Sequence, residues 1–216
     1  MLPQHKEYIS EEGTLVPSVT QILSVVAKPA LIPWANNLGL QGIKYHEVTK
    51  RQANIGSITH YFISQEIKNE PRDPSLLSDY TLEELAQAEK YFQTFLKWKQ
   101  AHNEIEFLHS ELALISYLGY GGTIDAIIRE HNRTYIVDFK TSPNIYPEHK
   151  AQVAAYVHLA SQTLCLDGVK IIRLDEDSYE IWESTNWFEI YDWFKFFKLC
   201  FELYSLQRRL NEKQNH

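Results

Sequence analysis

Residues 119–156, GYGGTIDAIIREHNRTYIVDFKTSPNIYPEHKAQVAAY, decide how the chain is read. Two strand-like segments, Thr123–Arg129 and Thr134–Lys140, flank the polar turn Glu130-His131-Asn132-Arg133, and a helical pattern begins near Pro147. If His131-Asn132 is a two-residue hairpin loop, Glu130 faces Arg133, and the same register along both arms sets Asp125 opposite Asp138.

Side chains alternate along a strand, so Thr123, Asp125 and Ile127 are expected to share a face with Ile136, Asp138 and Lys140. The other face then carries Ile124, Ala126, Ile128, Tyr135, Val137 and Phe139, which reads as core. Carboxylates facing one another destabilise a sheet unless something cationic lies between them, and a divalent metal is the natural candidate. Oxygen ligands on a rigid hairpin suit Mg²⁺ or Mn²⁺ better than zinc, which prefers Cys or His ligands that this stretch does not place beside them. Lys140 points at the same place. A lysine that takes a proton near neutrality must first lose its own, at a cost of roughly 4 kcal/mol, and neighbouring carboxylates oppose that loss while a bound metal offsets them. Two roles are therefore open for Lys140: a charged group that orients water and stabilises phosphoryl charge, or a neutral one that accepts a proton.

Three sequence elements then occur in order: Gly121-Gly122-Thr123-Ile124-Asp125, Asp138-Phe139-Lys140-Thr141, and Gln152 with Tyr156 four residues on along the following helix. Each is common alone; together, on strand, strand and helix, they are not. The pattern resembles the PD-(D/E)XK nuclease superfamily and, within it, the RecB-like exonuclease branch that includes phage exonucleases and the mitochondrial genome maintenance exonuclease. Its first motif departs from the literal Pro-Asp, holding Ile124-Asp125. Upstream, His60 in GSITH matches the branch's G-x-x-x-H element, and Glu111 lies where the superfamily often has an acidic residue on the strand before the hairpin. The segment from Pro17 to Gly39 resembles the opening of the same nucleases.

The resemblance implies an α/β, restriction-endonuclease-like fold, with a mixed central sheet flanked by helices and an N-terminal helical section. It also implies metal-dependent hydrolysis of DNA phosphodiesters, of exonuclease type, on ends with single-stranded character, in replication, repair or recombination. One or two Mg²⁺ or Mn²⁺ ions would be held by His60, Asp125, Asp138 and the Phe139 carbonyl, with Glu111 as a further ligand or a residue orienting one. Asp125, Asp138 and Lys140 would carry the chemistry, with Gln152 and Tyr156 supporting the lysine or touching phosphate or base. Thr141, Ser142 and Lys150 are the expected nucleic-acid contacts. A recombination or helicase protein is an expected partner.

Two readings stand beside this one. A catalytically silent nucleic-acid-binding or scaffold protein of the same fold would have to keep a carboxylate pair to no purpose. An RNA end-processing hydrolase is the other, since nothing in the sequence recognisably reads a 2′-hydroxyl.

Composition is compatible with the nuclease reading. A chain of 216 residues with 44% hydrophobic and 23% charged residues is ordinary globular protein, expected as one domain over residues 1–216: mostly helical through 102, sheet over 103–186, and a last helix from 187. A net charge of −7 argues against nucleic-acid binding by bulk charge, but not against a site where metal ions reverse the local potential. Only Cys165 and Cys200 are present, so neither a zinc ribbon nor the four-cysteine iron–sulfur cluster of some RecB-like relatives is expected. The opening MLPQHKEYISEEG lacks a secretory pattern and no run is long enough to span a membrane, so a cytoplasmic protein of a bacterial or phage-infected cell is expected.

Along the rest of the chain, residues 1–16 read as an extended arm, and Ser18-Val19-Thr20-Gln21 as a capping box opening a helix through about Val26. A second helix is expected from Pro33-Trp34 to Gly39 or Gly42, a third over Lys44–Asn69, a loop over Pro71–Asp79, and a fourth helix from Thr81 to Ala101. In that fourth helix Leu85, Ala88, Phe92, Phe95 and Leu96 form a packing stripe, and Lys90, Lys97 and Lys99 a solvated face. Strands are expected within Glu104–Tyr117 and over Val169–Leu174 and Tyr179–Glu183, with a helix over Glu148–Ala160. The tail from Trp187 to Leu210 reads as a helix burying Trp187, Tyr191, Phe194, Phe197, Phe201 and Tyr204.

Overall fold

The computed structural model describes Leu2 and residues 7–214. A short hairpin, β1 (Tyr8–Ile9) and β2 (Leu15–Val16), leads into helices α1 (Val19–Leu23), α2 (Leu31–Leu40) and the long α3 (Tyr45–Lys68). A 3-10 turn over Pro74–Leu77 precedes α4 (Leu82–Ala101). Then follow β3 (Glu106–Ser116), β4 (Tyr120–Glu130), β5 (Arg133–Lys140), α5 (Pro147–Ala160), β6 (Gly168–Leu174), β7 (Tyr179–Ser184) and α6 (Trp187–Gln214). The arm expected over residues 1–16 is thus a hairpin from Tyr8 onward, and most of its first six residues lie outside the described ones. No helix among the described residues is long and apolar enough to cross a membrane.

Strands β3 to β7 form one five-stranded sheet in sequence order. All neighbours are antiparallel except β5 and β6, whose parallel pairing requires the α5 crossover. This is the expected mixed sheet. The β4–β5 turn is the expected two-residue loop: His131 and Asn132 take φ values of 49° and 61°, the pair of left-handed residues that matches the twist of a hairpin, and Glu130 faces Arg133.

The sheet lies between two apolar cores. On one side Val19 and Ile22 of α1, Val153 and Ala155 of α5 and Ile190 and Phe197 of α6 cover Tyr120, Ile124, Ile127, Ile136, Val169 and Ile171. On the other, Ile55, Ile58 and Phe62 of α3 and Phe92, Phe95 and Trp98 of α4 cover Ala126, Ile128, Val137, Phe139 and Ile172. Ile124 therefore lies in the first core and not, as strict alternation predicts, beside Ala126 and Ile128 in the second. Residues two apart on one strand have changed face, so a slip occurs between them, at Asp125. The matching slip on β3 is at Glu111, which sits between the pairs Ser110↔Ala126 and Leu112↔Ile124 and has a φ of +55°, left-handed for a residue with a side chain. Thr123 is displaced with it: its hydroxyl meets Tyr8, on the opposite side of the sheet from Ile127.

The helices begin where their caps say. Ser18 accepts from the Gln21 N–H while Gln21 accepts from the Ser18 N–H, and Thr81 and Glu84 do the same for α4. Helix α1 ends at Leu23, short of Val26, and α2 starts at Leu31, so that Pro33 falls in its first turn, where no backbone bond is lost. Glu84 has a second task. Its other oxygen accepts from Asn54 Nδ2 at 2.8 Å, and with the Lys99–Glu66 ion pair it clamps α3 to α4. The lysines of α4 are largely spoken for, Lys99 by Glu66 and Lys90 by Glu176. In α6, Phe194, Phe197, Phe201 and Tyr204 face the core as expected, but Trp187 and Tyr191 are about half exposed and Ile190 packs in their place.

Two glycines let β4 approach its neighbours. A Cβ on Gly121 would stand 2.3 Å from Tyr8 Cγ, and one on Gly122 would stand 2.6 Å from Tyr156 Cε1 and 3.1 Å from Leu159 Cδ1. Gly122→Ala is therefore expected to destabilise the protein by about 1–3 kcal/mol through overpacking against α5. Gly39→Ala, with nothing within 4 Å of its added methyl, is expected to be neutral or stabilising by up to about 1 kcal/mol. Urea unfolding of the two variants against the parent measures the contrast; equal midpoints would contradict it.

Candidate active site

The β4–β5 ladder runs from Glu130↔Arg133 to Ala126↔Val137 and stops. One step further, in the register expected from the turn, stand Asp125 and Asp138. Here the strands part, and the Asp125 side chain takes over from the backbone: its Oδ2 accepts from the Phe139 N–H at 2.8 Å. The N–H and C=O of an extended residue point to the same side, so the Phe139 carbonyl opens toward the same gap.

Asp138, on the next residue, is fully buried. Lys140 Nζ lies 3.0 Å from its Oδ1 and 2.8 Å from its Oδ2. From α5, Gln152 Oε1 accepts from Lys140 at 3.1 Å while its Nε2 donates to Asp138 Oδ1 at 3.2 Å and to the Tyr156 hydroxyl at 2.8 Å. One amide thus fixes the lysine and the carboxylate together, and the tyrosine four residues on, one helical turn away, fixes the amide. Tyr156 itself is buried behind Gln152, against Gly122, and is not part of the cleft wall.

Helix α3 closes the site from the other side. His60 Nδ1 is 3.3 Å from Asp125 Oδ1, and His60, Glu111 and Asp125 bring one ligand atom each within 4.8 Å of one another. Asp138 stands outside that trio, turned toward Lys140 and Gln152. The slip of β3 and β4 explains the convergence. Residues held strictly in the pleat would point to one core or the other, whereas Glu111 and Asp125, at the change of face, both line the cleft between α3 and the sheet. That cleft has a volume of about 740 Å³ and is lined by His60, Glu111, Thr123, Asp125, Asp138, Lys140 and Gln152, with Ser57, Ser64 and Lys68 also from α3.

The electrostatics follow from burial and crowding. Burial alone would push the His60 imidazole down, but the Asp125 carboxylate beside it outweighs this and carries its pKa up to about 9. Burial likewise works to raise Asp125, yet His60, Lys140 and the Phe139 N–H hold it below the usual carboxylate value. Asp138 goes the other way: burial, only partly offset by Lys140 and reinforced by the Asp125 charge, lifts it to about 6. Burial also raises the Tyr156 phenol, which keeps it a neutral hydrogen-bond acceptor for Gln152.

The buried Asp138 Oδ2 has no hydrogen-bond partner, the nearby Lys140 ammonium lying off the bonding direction. That oxygen meets the Lys140 charge without a directed hydrogen bond and keeps its lone pairs open to a further ligand. Carboxylate oxygens, a backbone carbonyl and one imidazole are a donor set that fits a hard divalent ion.

Other expected residues fall elsewhere. Thr141 and Ser142 line a separate cleft of about 820 Å³ together with Trp34, Tyr91 and Tyr146, and the Ser142 hydroxyl donates to the Asn144 carbonyl at 2.8 Å. Lys150 lines neither cleft. Its ammonium lies over the ring of Trp182, 4.7 Å from the centroid, and near that of Trp193. Sequence reasoning missed Tyr8, whose hydroxyl shares a 2.8 Å hydrogen bond with Thr123, because a two-residue strand leaves no period to detect. It also missed Ser57, Ser64 and Lys68, although small and polar residues in steps of three and four around His60 were a readable signal.

The model of the PD-(D/E)XK nuclease superfamily matches residues 40–178, well over half of the chain. No curated protein matches the sequence. Among solved structures the chain is similar to SSO0001, at 19% identity and a TM-score of 0.32, covering 60% of this chain and 63% of that one, which is less than two thirds of its length. It is also similar to LHK-Exo in complex with dAMP, at 8% identity and a TM-score of 0.46, with 93% of each chain covered. Likenesses this low add nothing to the family match. That match runs through α3, β3, β4, β5 and α5, whose side chains meet in the cleft, and the chain belongs to the PD-(D/E)XK nuclease superfamily.

Proposed function

We propose that the chain is a Mg²⁺- or Mn²⁺-dependent deoxyribonuclease, a single domain that removes nucleotides from DNA ends of single-stranded character in replication, repair or recombination. The observation that carries this reading is the position of Asp125, joined to His60 and Glu111 on one side and, through Phe139, to Asp138, Lys140 and Gln152 on the other. His60, Glu111 and Asp125 would hold the ion, with Asp138 and the Phe139 carbonyl adjoining. When bound, such an ion supplies Lewis-acid stabilisation of phosphate charge and makes water more acidic. Lys140 orients the attacking water and stabilises charge developing on the phosphate oxygens. Its contacts with Asp138 and Gln152 favour this role over the proton-accepting one. Gln152 and Tyr156 act as positioning residues for Lys140 and Asp138, being buried beneath them.

Two observations support the choice of substrate. A cleft of about 740 Å³ is of the size of a small-ligand pocket, which suits one flexible strand better than a duplex. The GSITH and GGTID segments that resemble the RecB-like branch supply five residues of the cleft wall: Gly56, Ser57, His60, Thr123 and Asp125. Thr141 and Ser142, in the neighbouring cleft with three aromatic rings, would meet the strand beyond the scissile bond.

Asp138→Asn and Lys140→Ala are each expected to slow Mg²⁺-dependent degradation of end-labelled single-stranded DNA by at least about a hundredfold, with the circular dichroism spectrum unchanged. Rates like the parent's would sink the assignment. Calorimetry with Mn²⁺ is expected to show binding that weakens about 10- to 100-fold in His60→Ala and Glu111→Gln and vanishes in Asp125→Asn. Undiminished binding in all three would overturn the ligand set, and no binding by the parent would favour a silent, nucleic-acid-binding protein. Circular single-stranded DNA is expected to survive conditions that consume its linear form and a matched RNA strand should be spared; cleavage of the circle would remove the requirement for an end.

A further inference from the structure

Helix α6 packs Phe197, Cys200, Phe201 and Tyr204 onto the core it shares with α5. The far side of such a helix is ordinarily polar. Here Leu199, Leu203, Leu206 and Leu210 stand on it, 66, 44, 45 and 50% exposed. Their alternating steps of four, three and four residues are those of the a and d positions of a heptad, the seam of a coiled coil. Glu202 and Arg209, each one residue before a leucine of that seam, are exposed along one flank of it.

We propose that α6 is a homodimer interface, pairing antiparallel with α6 of a second copy of this chain. Setting Leu203 against Leu206 of the partner subunit places Leu199 against Leu210 of the partner subunit, and two-fold symmetry makes both contacts twice, about an axis passing between residues 204 and 205. In that same register Glu202 falls beside Arg209 of the partner subunit, again twice. A parallel pairing sets Glu202 against Gln207 of the partner subunit and gives Arg209 no carboxylate. The apolar and the charged positions therefore select the same orientation, and an unrelated protein has no reason to match both. Burying four leucines from each copy also removes an apolar strip of a kind that isolated chains rarely leave in water.

Sedimentation equilibrium of the full chain tests this, with circular dichroism and thermal unfolding reporting that each variant is folded. The parent is expected to be a dimer and Leu203→Glu/Leu206→Glu a folded monomer. Glu202→Arg alone and Arg209→Glu alone each set like charges face to face and should weaken dimerisation about tenfold or more. The double variant Glu202→Arg/Arg209→Glu restores opposite charges and should recover the parent's dissociation constant. A monomeric parent, a dimer that tolerates the leucine changes, or a double variant no tighter than the single ones would each overturn the proposal.

Discussion

The molecule is organised around keeping two carboxylates close together inside a sheet. Asp125 and Asp138 stand one step past the last β4–β5 pair, and in water-excluded surroundings like charges at that spacing repel strongly. The protein answers with cations and donors on both sides, His60 and the Phe139 N–H for Asp125, Lys140 and Gln152 for Asp138. Even so, Asp138 retains an oxygen without a hydrogen bond. Glu111, Asp125 and Asp138 line the cleft together with His60 and Lys140, and acidic groups so placed could bind a metal ion.

Much of the surrounding architecture serves that arrangement. Two cores fix the sheet from above and below, and the helices over them bring the polar partners: α3 carries His60 and α5 carries Gln152. Neither helix is free to drift. Asn54, held by the same glutamate that caps α4, ties α3 near its middle, and Gly122 lets α5 settle so close to β4 that a methyl group would not fit between them. Packing contacts several residues from the chemistry thus decide whether the donors arrive within hydrogen-bond reach.

The order of elements, the hairpin register and the placing of Asp125, Asp138 and Lys140 at one end of that hairpin were legible because each depends on short-range rules. Two left-handed residues make a tight turn, a capping box starts a helix, and a register counted from the turn fixes which acids meet. Departures from those rules were not legible. Period-two alternation cannot announce the change of face at Asp125, since nothing in Gly122-Thr123-Ile124-Asp125-Ala126 marks a slip, and Glu111 is an unusual residue to find at positive φ. Lys150 was expected as a nucleic-acid contact; two residues before Gln152 on the same helix, its side chain is turned by more than half a circle from that residue's, onto the tryptophans of β7 and α6. In α6 aromatic spacing alone did not distinguish the side packed on the core from the sides around it, so the half-exposed positions of Trp187 and Tyr191 were not legible.

The single parallel pair in the sheet bears on how the chain acquires its structure. Strands β3, β4 and β5 follow one another through tight turns, so loop-closure entropy allows this meander to zip up early from neighbouring residues. The β5–β6 pair closes only after the excursion from Lys140 to Gly168 has folded as α5 and returned. During synthesis the acidic residues accordingly meet before the helix that braces them, and the nascent site passes through a stage in which its negative charges lack their amide support.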